Sequence, residues 1–149
     1  NNDSLNSYRE RWKVFCDDSY QNPKIYYSIF GENIDESPQI LINKYFKLYP
    51  EDFKYSPAEY LPVLTDSFSE NNITKPLKNC VDNGCFSDKQ AKKIDEVNMF
   101  FYQGMLSLMV NKRVSYSIEE ATKKTIEHIK QVLDDEIKSN KNLLKENNF

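Results

Sequence analysis

Three times in this chain, a serine followed three positions later by Glu or Gln stands directly before an apolar periodicity. These are Ser56-Pro57-Ala58-Glu59, Ser87-Asp88-Lys89-Gln90 and Ser117-Ile118-Glu119-Glu120. In such a capping box the serine hydroxyl accepts the N–H three residues on, and the Glu or Gln side chain accepts the serine N–H. Helix starts are where backbone N–H groups lack partners, so the pattern marks helix N-termini. Asn22-Pro23 and Ser37-Pro38 add two more starts, with proline at the first helical position. No alternation of period two marks a strand. The sequence therefore predicts an all-α, single-domain helical bundle of about five to six helices over residues 1–149.

The individual helices follow from these signals. Asp3 or Ser4 caps a first helix reaching about Cys16, with Leu5, Tyr8, Trp12, Phe15 and Cys16 on one apolar face. A short helix runs over Pro23–Phe30 and stops at Gly31. A third begins at Ser37-Pro38 and ends at Pro50, and a fourth runs from Ser56 to about Glu70, kinked or delayed by Pro62. Thr74 to Asp82 forms one or two turns, stopped by Asn83-Gly84. Ser87 opens a long central helix, about 88–111, whose apolar residues beyond Val97 spread around the circumference as on a buried helix. Its cluster Phe100, Phe101, Tyr102 and Met105 is expected in the core. Ser117 opens a long C-terminal helix, about 118–145, with the stripe Ile118, Ala121, Thr125, Ile129, Val132, Leu133, Ile137 and Leu144.

Composition then removes function classes. A chain of 149 residues typically buries roughly 70% of the surface its unfolded form exposes, so no metal or disulfide staple is required. Aromatics make up 13% and the net charge is −3, which argues against disorder. The slightly acidic balance argues against a dedicated nucleic-acid binder. Val97–Val110, the longest apolar-rich stretch, is too short and polar to span a membrane. Abundant Asn, Lys, Tyr, Phe and Ile point to an AT-rich genome.

Clues to compartment are weak. The chain opens on Asn1 without a charged-then-apolar leader, so a leader was removed or the chain was cut from a longer protein. Asn2-Asp3-Ser4 and Asn72-Ile73-Thr74 are acceptor tripeptides for glycosylation, yet about two are expected by chance in so Asn-rich a chain. Cys80 and Cys85 flank Val-Asp-Asn-Gly, so a local disulfide is geometrically open to them. Pairing with Cys16, or three reduced thiols, are equally open readings.

The catalytic inventory is thin. His128, the single histidine, falls near the edge of the last helix's stripe and reads as a boundary residue. A lone histidine with C-x₄-C lacks the ligand set of a structural zinc site. The carboxylates of Asp134-Asp135-Glu136 point in different directions on a helix. No phosphate-binding glycine loop and no calcium loop occur. No cofactor, metal or catalytic residue is expected, and no motif resembles a known family closely enough to carry residue roles.

What remains is aromatic and charge distribution. Tyr45, Tyr49, Phe53, Tyr55 and Tyr60, with Phe46, lie in one short stretch interleaved with charged residues. Tyrosine suits interfaces because it joins an apolar body to a polar tip. The competing expectation is that these rings fill the core of an alanine-poor protein. Residues 1–74 carry −5 and residues 75–149 carry +2, so an acidic face of the first half can steer a basic partner. Lys75, Lys78, Lys89, Lys92 and Lys93 form a modest basic patch, or simply a solvated face. The expected function is a non-enzymatic, secreted or exported, effector-like module that binds a protein partner through Tyr45, Tyr49, Phe53, Tyr55 and Tyr60. The alternative is a carrier of a small hydrophobic ligand between helices.

Overall fold

The computed structural model describes residues 2–30, 43–44, 46–48, 50–52, 73 and 75–147. Among them, α1 spans Asn2–Gln21, α2 Pro23–Phe30, α3 Lys75–Asp82, α4 Asp88–Val110 and α5 Ile118–Asn147. A 3-10 turn covers Pro50–Asp52, residues 43–44 and 46–48 are helical, and no strand occurs among the described residues. The architecture is the all-α bundle that the start signals predict. The helix opened at Ser56 lies outside the described residues.

Two capping boxes are formed in full. The Gln90 N–H donates to Ser87 Oγ at 3.1 Å and the Ser87 N–H donates to Gln90 Oε1 at 3.0 Å. The Glu120 N–H donates to Ser117 Oγ at 3.0 Å, with the Ser117 N–H reaching Glu120 Oε1 at 3.4 Å. Asn22 joins two helices. Its carbonyl accepts the Tyr26 N–H of α2, while its side-chain amide turns back and donates to the Asp18 carbonyl of α1 at 3.1 Å.

α3 ends in a Schellman turn. The Cys85 N–H donates to the Cys80 carbonyl at 2.8 Å and the Gly84 N–H to the Val81 carbonyl at 3.0 Å. Gly84 sits at φ +81°, a conformation that costs glycine little and other residues more. The same turn ends α4, with Lys112 at φ 54° in the left-handed position.

α1 runs one turn further than Cys16. Asp17, Asp18 and Ser19 are weak helix formers, but Ser19 and Tyr20 are buried and extend the apolar face of Tyr8, Trp12, Phe15 and Cys16. The core centres on Tyr102 of α4. Trp12, Phe15 and Tyr20 surround its ring at centroid distances of 4.9 to 5.9 Å, and Tyr26 of α2 packs edge-on to Phe15 at 5.7 Å. Two of the hydroxyls in this aromatic core are paired across helices: Tyr102 with Ser19, and Tyr20 with Thr125 Oγ1 at 2.7 Å. α4 and α5 run antiparallel. Gln90 bonds Glu136 and Asn140, Lys93 pairs with Glu136 at 2.7 Å, and Phe101 stacks on His128.

Two packing expectations need correction. Phe100, expected in the core, is 64% exposed, and Leu108 is 42% exposed. α4 buries the face carrying Ile94, Asn98, Tyr102, Met105 and Leu106, and turns its opposite side to solvent. Ile118, expected in the α5 stripe, is also exposed, at the first helical position of α5.

Candidate functional site

Of the aromatic stretch predicted to bind a partner, Tyr45, Tyr49, Phe53, Tyr55 and Tyr60 all lie outside the described residues, as does Asn72. Their described neighbour Leu48 is 70% exposed. Asn2 falls in the first turn of α1.

The Cys80–Cys85 disulfide that the sequence left open is not seen: Cys16, Cys80 and Cys85 all stand as thiols, outside any disulfide. The turn does bring the pair together, because a Schellman turn places those two side chains against each other. Here the two thiols fill that contact as small apolar groups, Cys80 within the core and Cys85 packed against it. Burial pushes the Cys80 thiol up and pushes Cys16 up to about 12. Both thiols are held protonated, the unreactive state.

His128 is a boundary residue with a specific neighbour. Its ring stacks on Phe101 at 4.2 Å with 10° between planes. Its buried Nε2 has no hydrogen-bond partner among the described residues, and burial lowers its pKa. The neutral ring serves here as an aromatic surface. Among the described residues, no group of three His, Cys, Asp or Glu is placed to hold a metal ion.

A buried polar cluster joins α1 to α4, and no sequence pattern announced it. Tyr8 Oη donates to Asp95 Oδ1 at 2.7 Å and accepts from Asn98 Nδ2 at 3.1 Å. Burial raises the pKa of Asp95, partly offset by the Tyr8 hydrogen bond, and burial with the nearby carboxylate pushes Tyr8 up. Asp95 also borders a groove of about 540 Å³ between α3 and α4. The basic patch is divided by this geometry. Lys75, Lys78 and Lys92 line the groove together with Asp82, Asp88 and Asp95, so the charges there balance. Lys93 faces α5 instead, and its ammonium holds the Glu136 carboxyl below its ordinary value.

The surface of α4 opposite Tyr102 carries Phe100, Gly104 and Leu108 four residues apart, so they line one side of the helix. All three are exposed. Nothing among the described residues lies within 4 Å of a Cβ built on Gly104, and its backbone is not in the left-handed region. A mid-helix glycine costs about 1 kcal/mol relative to alanine. Neither backbone conformation nor packing among the described residues requires it.

A larger groove, of about 810 Å³, lies between α1 and the first turns of α5, with Ile118, Thr122 and Ile126 along one wall. No protein-family model, curated protein or solved structure gives a significant match to this chain.

Proposed function

We propose that this chain is a non-enzymatic protein-interaction module that works outside the cell that makes it. The observation that carries the reading is the α4 surface: two large apolar side chains flank a glycine that the described fold does not need. A small residue between two apolar knobs lets a partner backbone approach closely, and an exposed apolar strip on a rigid frame is the usual mark of an interface. The frame behind it is closely packed, with Trp12, Phe15 and Tyr20 around the Tyr102 ring and the Tyr102 hydroxyl paired with Ser19. Tyr45, Tyr49, Phe53, Tyr55 and Tyr60 belong to the proposal as a second contact region. Export is part of the proposal; the acceptor tripeptides at Asn2 and Asn72 are no more numerous than chance gives, and glycosylation there is what would report export. The inert, protonated Cys16 and the stacked His128 support a non-catalytic role. No specific observation favours the ligand-carrier reading.

A photo-reactive phenylalanine analogue placed at Phe100 tests the reading. In extracts of the source organism and its surroundings, it should form one dominant protein adduct. The same group at exposed Lys130 of α5 should form none. Equal labelling from both positions, or none from either, would overturn the proposal.

A further inference from the structure

We infer that the groove between α1 and α5 is a docking site for a basic amphipathic helix of another protein. The inference starts from shape. The groove runs from Glu10 to Gln21 along α1 and from Ile118 to Glu127 along α5. At 1.5 Å per residue both walls are about 15 Å long, which matches about three turns of a docked helix. The apolar contact comes from Ile118, 40% exposed, and the half-buried Ile126, with Thr122 between them. They stand four residues apart, so they form one strip along α5 and fit the apolar stripe of an amphipathic helix.

Charge selects the partner. Glu10 and Asp17 stand on the α1 wall, and Glu119 and Glu127 on the α5 wall, against the two cations Lys13 and Lys123. Among the described lining residues each wall thus carries two carboxylates against one lysine, a net charge of −1 on either side of an apolar strip. A helix with Lys or Arg on either side of its apolar stripe places a cation at each wall. An acidic helix meets carboxylates on both. The α5 N-terminus would by itself attract an anion, but Glu119 and Glu120 in its first turn offset that field. This site is separate from the α4 surface, so it stands or falls independently.

The test uses the full chain and two synthetic helical peptides of about 14 residues, or four turns. Both carry leucine on one face. One has lysine on the flanks and the other glutamate. Fluorescence anisotropy should show the lysine peptide binding and the glutamate peptide not binding. Raising salt should weaken the lysine complex about tenfold or more. Glu10→Lys with Glu127→Lys should weaken it at least as much, with helical circular dichroism unchanged. Glu96→Lys with Asp134→Lys makes the same net-charge change at exposed positions away from the groove, and should leave most of the affinity intact. Equal losses in the two double variants would reduce the effect to bulk charge and overturn the inference. Binding of the glutamate peptide, or no binding of either, would also overturn it. So would a concentration-dependent dimer of the chain alone that the Glu10→Lys, Glu127→Lys variant dissolves, since that assigns the groove to a second copy.

Discussion

α1 and α4 are both rich in large apolar residues, yet they use them differently. Trp12, Phe15 and Tyr20 are buried around Tyr102, and folding accounts for each of them. Phe100 and Leu108 stand on the far side of the same α4 that supplies Tyr102, facing solvent beside Gly104. Aromatic content is therefore not one property of this chain. On the inner face it replaces the small residues that other bundles use as filler. On the outer face of α4 it is a surplus that stability does not explain, and that surplus is the basis for reading the protein as an interaction module.

The two faces should respond to substitution on different scales. Trp12→Ala removes the indole from the ring cluster and should destabilise by about 3–5 kcal/mol, measured by chemical denaturation. An effect below about 1 kcal/mol would remove the distinction between the faces.

Asp95 marks the boundary, bonded to buried Tyr8 yet bordering the α3–α4 groove. Its pKa is raised in the folded state. Its contribution to stability is therefore fully present in acid and is lost as pH rises through that raised value. Asp95→Asn keeps an acceptor for Tyr8 and carries no charge. The variant should be more stable than the parent near neutral pH and should lose that advantage in acid. An advantage independent of pH would mean that the carboxyl is not the titrating cause.

Phe100→Ser and Leu108→Ser should change stability least, within about 0.5 kcal/mol each, while reducing partner capture. A loss like that of Trp12 would place these side chains in the fold's own packing.

The comparison also shows what a sequence can and cannot reveal. The capping boxes at Ser87 and Ser117 were legible because their bonds span three residues. The same holds for Asn83-Gly84, where the stop is a local backbone conformation. The end of α1 was not legible, since Ser19 is buried by a pairing with Tyr102 83 positions away. Periodicity did not separate the faces of α4, because apolar residues beyond Val97 occur all round the helix, so Phe100 read as core together with Phe101 although only the latter meets another helix. The Tyr8–Asp95–Asn98 cluster left no local pattern at all. The nearness of Cys80 and Cys85 was legible from the turn between them, whereas their thiol state was not. Of the candidate site, the tyrosines from Tyr45 to Tyr60 lie outside the described residues. Gly104 and the α1–α5 groove emerged only once the helices were packed.

The most direct measurement is the stability of Gly104→Ala set against its partner capture. The added methyl meets no atom of the described residues, and alanine is the better helix former, so the variant should be more stable by about 1 kcal/mol. Cross-linking from position 100 should fall at the same time, because the close approach is blocked. A variant that is less stable, or one that is more stable and captures its partner unchanged, would contradict the claim that this glycine is held for a partner.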